Sequence, residues 1–263
     1  MRYDPATMQG MRSTERDDLP TSVLGRAVLV LDSLAHGDVL GVSELARRTG
    51  LAKSTVHRLV GELARYDLVE VTREGIRLGM RLFELGQNVP RQRSLMEAAL
   101  PFMRDLQEAT RETVHLAILD GTEVVYVEIL HGADHPRLPS RVGGRMPAHA
   151  TGVGKAILAF SSSSVVDAMI AGGLERRTPH TLVMPGALRN ELHRIAESRV
   201  SFDREESGPG IVCAASPIFG RNGEVVAAIS LTGWSSRLDV ERVAPAVRTA
   251  ASALSRQLGA PAS

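Results

Sequence analysis

The stretch 42–78, VSELARRTGLAKSTVHRLVGELARYDLVEVTREGIRL, leaves few folds open to the N-terminal part of this chain. Val56, Leu59, Val60, Leu63 and Ala64 recur at helical spacing, so a helix with one apolar face is expected over 53–66. Its other face carries Ser54, Thr55, His57, Arg58, Gly61, Glu62 and Arg65. A shorter helix precedes it, with Ser43 as the expected N-cap, Glu44 in the positive first turn and Gly50 just past the end. Leu45, Ala46 and Leu51 supply the contact beneath the longer helix. Two helices joined at such a glycine make a helix-turn-helix. Beyond Leu68, Val69-Glu70-Val71 and Ile76-Arg77-Leu78 alternate around Thr72-Arg73-Glu74-Gly75, which predicts a hairpin wing.

Between 47 and 66 the chain carries Arg47, Arg48, Lys53, Arg58 and Arg65 against the single acid Glu62. Ser54, Thr55, His57 and Arg58 are side chains that reach base edges, while Arg47, Arg48, Lys53, Arg73 and Arg77 suit phosphates. Net charge over all 263 residues is only +1, so the basic character is local. A sequence-reading module joined to a neutral partner domain fits that distribution; a nucleic-acid-coating protein does not.

The flanks set the organisation. Residues 1–20 are polar and aperiodic and read as a disordered tail. A helix over 22–35 places Val23, Ala27, Val30, Leu31 and Leu34 on one side, completing a winged helix-turn-helix domain over 21–86. A short helix over 79–85 and a polar connection over 86–93 follow. A linker helix over 87–111 carries Leu95, Ala98, Ala99, Phe102, Leu106 and Ala109 at helical spacing, with Pro101 expected to kink or restart it.

From Thr113 the period becomes two. Strands are expected over 114–119 and 123–130, joined at Asp120-Gly121-Thr122, and over 211–218 and 224–232, joined at Arg221-Asn222-Gly223. Between them 131–146 reads as a loop, and 152–160, 164–171 and 185–198 as helices. A last helix runs from an Asp239 cap to about 258. The second domain, 112–260, is therefore α+β on an antiparallel sheet.

Three of its segments carry small or polar groups that a plain core would not require. Ala150-Thr151-Gly152-Val153-Gly154-Lys155 opens a helix and superficially resembles a phosphate loop. That pattern fails at Ala156, where a hydroxyl should follow the lysine, and at His149, where the first glycine should stand. Phe202-Asp203-Arg204-Glu205-Glu206 is an acidic cluster on an expected loop, either a solvated charge run or part of a site. Ile211, Cys213 and Ala215 share one strand face, and Val226, Ala228, Ser230 and Thr232 share another, suiting a ligand cavity or tight helix packing. Cys213 as a nucleophile or redox centre is the enzymatic alternative, with His115, His131, His149, His180 or His193 as base and Asp203 to orient it. No enzyme signature surrounds it, and a buried cysteine usually acts as a small hydrophobe. The histidines lack metal-ligand spacing, and no cofactor motif is present. A single cysteine fits a reducing compartment, and no apolar run reaches membrane-spanning length, so a cytoplasmic, non-membrane protein is expected.

Taken in order, VSELARRTGLAKSTVHRLVGEL with its wing, ETVHLAILDGTEVVYVE, MPAHATGVGKAILA and FDREESGPGIVCAASPIFGRNGEVVAAISLTG resemble the IclR family of bacterial transcriptional regulators. The resemblance spans 22–258. It implies a winged helix, a linker helix and a C-terminal GAF-like effector domain. It also implies homodimers or homotetramers on double-stranded operator DNA, controlled by a small-molecule effector such as an organic or aromatic acid. By position the family's effector pocket would include Gly152, Val153, Asp203, Ile211, Cys213, Ser230 and Thr232. This chain departs from the pattern at Arg199, where similar proteins usually have glycine, and at Gly220, where an acidic residue is common. The implied function is a ligand-responsive regulator, more specifically a repressor, and not an enzyme. A DNA-binding protein whose second domain only oligomerises is the other alternative.

Overall fold

The computed structural model of the chain describes residues 20, 22–35, 37–133, 138 and 140–261. Apart from residue 20, the expected N-terminal tail lies outside the described residues. Internal contacts divide the chain into two compact units, Met1–Arg93 and Ser94–Ser263.

In the first unit α1 (Val23–Leu34), α2 (Val42–Thr49) and α3 (Lys53–Arg65) precede β1 (Val69–Val71), β2 (Ile76–Leu78) and α4 (Met80–Gln87). Val30, Leu34, Leu45, Val56, Leu59, Val60 and Leu63 form one core with Val69 and Ile76 of the wing. Val23, expected on the inner side of α1, is exposed because it lies two turns ahead of Val30, the first buried residue. The start of α2 also differs from expectation. Gly41, not Ser43, is the N-cap, and Ser43 sits inside the helix. The cause is Leu40, which exchanges backbone hydrogen bonds of 3.0 and 2.9 Å with Ile76 and so brings the chain into α2 two residues early. Gly50 ends α2 at φ +69°, the left-handed geometry glycine adopts freely.

α5 (Pro90–Thr110) runs uninterrupted through Pro101, which faces outward where water can take the hydrogen bond the proline removes. The connection expected over 86–93 is thus only Asn88 and Val89, since α4 and α5 extend into it. Leu95, Ala99, Met103 and Leu106 of α5 are buried in the core of the second unit.

That unit is built on six strands: β3 (Thr113–Asp120), β4 (Glu123–Leu130), β5 (Arg145–Pro147), β6 (Ser201–Arg204), β7 (Ile211–Phe219) and β8 (Val225–Trp234). Their order is β5-β4-β3-β8-β7-β6, antiparallel throughout. Val212, Ala214, Ala227, Ile229 and Leu231 face α5 and α9 (Val240–Gln257). Cys213, Ala215 and Ala228 face the layer of α6 (Gly152–Leu158), α7 (Ser163–Ala171) and α8 (Pro185–Ser198). The chain is therefore α+β, with an N-terminal helix-turn-helix and a C-terminal sheet covered on both faces.

Two segments expected to be loops contribute edge strands: β5 begins at the end of 131–146, and β6 overlaps the start of 202–206. Three or four residues are too few to show alternation. Val226 also leaves its expected face: a bulge at Ile218/Phe219 skips it in the pairing and turns it toward the α9 side. Arg199 caps α8 at φ +58°, a conformation held by its neighbours. Its N–H donates to the Ile195 carbonyl at 2.7 Å, its carbonyl accepts from Ser216 Oγ at 2.8 Å, and its guanidinium lies over the Phe219 ring. The turn places Asp203 opposite Cys213 in the sheet.

Candidate functional site

Two surfaces, one in each unit, gather the residues singled out above. On α3 the buried face of Val56, Leu59, Val60 and Leu63 leaves Lys53, Ser54, His57 and Arg58 exposed and Thr55 half-buried. Ala52 caps the helix without a side-chain hydrogen bond, so the positive end of α3 remains available to an anion. Lys53, Arg58 and Arg73 form no ion pair among the described residues.

The other three expected phosphate contacts are already paired with acids. Arg47 grips Glu44 through two bonds of 2.8 and 2.6 Å, and Arg48 bonds both Glu44 (2.9 Å) and Asp38 (2.7 Å). These guanidinium bonds hold the Glu44 carboxyl down at about 2. Arg77 meets Glu70 across the wing at 2.8 Å. All are surface pairs, weak and screened by salt, so a phosphate can displace the carboxylate.

In the second unit the sheet register assembles a polar floor. Asp203 pairs with Cys213, Cys213 with Thr232, Thr232 with Thr113; one row along, Ala215 pairs with Ser230 and Ser230 with His115. Above them lies the start of α6. Gly152, Val153, Asp203, Ile211, Cys213, Ser230 and Thr232, all seven expected pocket residues, line one cavity of about 20 Å³. That volume holds little more than one water-sized sphere.

Sequence reading missed Tyr126, Leu138, Ser140, Met146 and Ser207 of the lining; Thr151 lies in a segment singled out without being assigned to the pocket, and His115 is considered there only as a base for Cys213. Tyr126 follows Val124 at the strand period, both in the cavity layer, and Val127 faces the α9 side. A bulge between Leu116 and Ala117 then turns Ile129 back to the cavity layer, a change no local period signals. His115 sits between Ser140 Oγ (2.8 Å from Nε2) and Thr232 Oγ1 (3.2 Å from Nδ1), its ring 5.1 Å from that of Tyr126.

Burial sets the charge state here. It pushes His115 down to about 3, helped by His131, so the imidazole is neutral. The Cys213 thiol is pushed up to about 12, first by burial and then by Asp203, against the opposing Ser230 and Thr232 hydroxyls. Such a thiol stays protonated and is a poor nucleophile, which weighs against the enzymatic and redox readings. Asp203 rises to about 6, again mainly through burial, although it accepts the N–H groups of Glu206 (2.7 Å) and Ser207 (3.3 Å). It therefore titrates near neutrality inside the cavity wall.

The glycines of the false phosphate loop have a packing reason. A Cβ on Gly152 would lie 2.6 Å from Cys213 Sγ, and one on Gly154 only 2.1 Å from the Ala148 carbonyl oxygen. Every residue of α6 is buried. Thr151 Oγ1 caps the Gly154 N–H at 3.1 Å, while the Gly152 and Val153 N–H groups have no partner among the described residues. Lys155 points away from any phosphate-loop role and forms a buried ion pair with Glu206. Among the described residues, no group of three His, Cys, Asp or Glu is placed to hold a metal ion, and no helix is long and apolar enough to cross a membrane.

Comparison with known proteins covers almost the same span. The model of the IclR helix-turn-helix domain matches residues 23–73, and that of the C-terminal domain of bacterial IclR transcriptional regulators matches 87–256. The HTH-type transcriptional regulator XynR of Escherichia coli is 34% identical over 90% of this chain and 97% of its own length. The transcriptional repressor IclR of the same organism is 33% identical, over 84% of this chain and 82% of the repressor. Among solved structures, an IclR homolog from Microbacterium hydrocarbonoxydans, complexed with 4-hydroxybenzoate, superposes with a TM-score of 0.81. It is 31% identical, and the match covers 90% of this chain and 99% of that one.

Proposed function

The chain belongs to the IclR family of bacterial transcriptional regulators, and from that premise we propose that it is a cytoplasmic repressor released from its operator by a small organic acid. In this reading α3 enters the major groove with Ser54, Thr55, His57 and Arg58 nearest the bases. Lys53, Arg47, Arg48, Arg73 and Arg77 meet phosphates, the paired arginines exchanging Glu44, Asp38 and Glu70 for the backbone. A homodimer or homotetramer then requires a palindromic or repeated site.

The observation that carries the effector half is that the seven residues the resemblance implies for the pocket line one cavity beneath α6. A ligand carboxylate meets the open N–H groups of Gly152 and Val153, with Asp203, Ser230 and Thr232 as hydrogen-bond partners and Ile211 and Cys213 as the apolar wall. The complex of the Microbacterium homolog with 4-hydroxybenzoate supports an aromatic acid as the ligand class. Release follows if the acid binds the DNA-incompetent arrangement more tightly than the competent one.

Fluorescence anisotropy on DNA from upstream of the protein's own gene tests both halves. Binding should exceed that to scrambled DNA, fall steeply with salt, and weaken on adding one member of a panel of small acids. Selective binding that no acid alters would leave the regulator without the effector. Equal binding to scrambled DNA, unchanged by Arg58→Ala, would sink the recognition-helix assignment.

A further inference from the structure

A second space adjoins the small cavity. It measures about 440 Å³ and shares Leu138, Ser207 and Ile211 with the inner chamber, so these three residues form the partition between the two. Its outer wall carries Glu175, Arg176 and Arg177. A whole aromatic acid does not fit in the inner chamber, since ligand pockets typically run to about 300 Å³ or more. Most of any such molecule has to lie in the outer space.

The segment bearing the two arginines is anchored there by buried groups. Thr178 Oγ1 donates to the Glu205 carbonyl at 2.6 Å, and Thr181 Oγ1 to the Glu206 carbonyl at 2.8 Å. Both threonines are buried, and His149 Nε2 lies 3.0 Å from the Glu175 carbonyl oxygen. The arginines are thus held beside the loop that follows β6 and supplies Ser207 to the inner chamber. Arg177 meets the exposed Glu175 carboxylate at 3.3 Å and Arg176 the Pro179 carbonyl at 3.3 Å. Each of these long contacts uses one nitrogen of a five-donor group, which leaves the remaining donors for a second acid.

We propose that the effector is a two-ended acid, with a small polar end in the inner chamber and a second anionic group held in the outer space by Arg176 and Arg177. The inference rests on the effector reading above and extends it to ligand class: dicarboxylates and comparable dianions over monoacids of equal size. Calorimetric titration of the full-length protein with matched pairs tests it. Terephthalate is compared with 4-hydroxybenzoate, and adipate with hexanoate.

At least one diacid should bind about tenfold more tightly than its monoacid, and the double variant Arg176→Ala/Arg177→Ala should erase that margin while leaving monoacid affinity within about twofold. The apo melting temperature of the variant should match that of the native chain, because both arginines are exposed. No gain by either diacid, or a gain that persists in the double variant, overturns the two-ended ligand while the effector reading stands. If none of the four acids binds, the effector reading itself fails and this inference with it.

Discussion

Two clusters in this molecule pair a basic side chain with a glutamate under opposite conditions. On α2, Glu44 is shared by Arg47 and Arg48, all at the surface. Behind the cavity, Lys155 meets Glu206 next to Asp203 with almost no solvent access: the Lys155 side chain is 1% exposed and that of Glu206 9%. An exposed pair gains little over hydration, so its members can change partners. A buried pair has given up its water, and neither charge can be left alone without a large loss. The surface cluster is suited to exchanging carboxylate for phosphate. The buried one ties the loop after β6 to α6 and keeps the cavity wall in place.

The sharpest way to break that contrast is Lys155→Met, which strands the Glu206 carboxylate in the interior. Urea unfolding should show a loss of about 3–5 kcal/mol, and Lys155→Met/Glu206→Leu should recover most of it because no buried charge then remains. A double variant no more stable than the single one would mean that the pair contributes shape rather than charge compensation.

Asp203 gives the next largest effect. Its folded pKa of about 6 lies above the ordinary 3.8, so the folded state holds the proton more tightly than the unfolded chain. The stability this provides is fully present below pH 4 and is lost as the pH rises through about 6, a change of about 3 kcal/mol. Asp203→Asn keeps an acceptor for the Glu206 and Ser207 N–H groups and removes the titration. Its melting temperature relative to the native protein should therefore climb between pH 4 and pH 6.5 and level off above. A pH-independent difference would show that Asp203 does not titrate in that window.

Gly152→Ala tests how closely α6 is laid on the sheet. Its Cβ would intrude on Cys213 Sγ, and overpacking of this kind costs about 1–3 kcal/mol, only partly offset by the better helix propensity of alanine. Adding Cys213→Ala should relieve the clash and restore stability. Failure to do so would place the conflict in the backbone instead.

On the exposed side, Arg47→Ala should leave unfolding unchanged, because its partner Glu44 remains hydrated and bonded to Arg48. Operator affinity should weaken uniformly across sequences, and the salt slope measured by anisotropy should fall by about one. An unaltered slope would mean that Arg47 stays on Glu44 in the complex.

Much of the architecture was legible in the residues. The apolar stripe of Val56, Leu59, Val60 and Leu63, the glycine at 50, the Asp239 cap and the two faces of β7 are local signals that the structure repeats. Cavity residues on regular strands were equally readable, since Cys213, Ser230 and Thr232 follow from period two. The part that was not readable depends on irregularity or distance. Ile129 faces the cavity layer only through a bulge, Asp203 sits on a four-residue edge strand, and Lys155 meets an acid 51 positions away.

By itself, then, the sequence determined the helix-turn-helix, the wing and the antiparallel hairpins, because each rests on spacing within a short window, and the family through the order of four segments along the chain. Tertiary structure alone decided which charges are buried, which arginines start out paired, and how small the inner chamber is beside the larger space outside it. Those outcomes depend on which distant groups displace water from one another, and local periodicity carries no record of that.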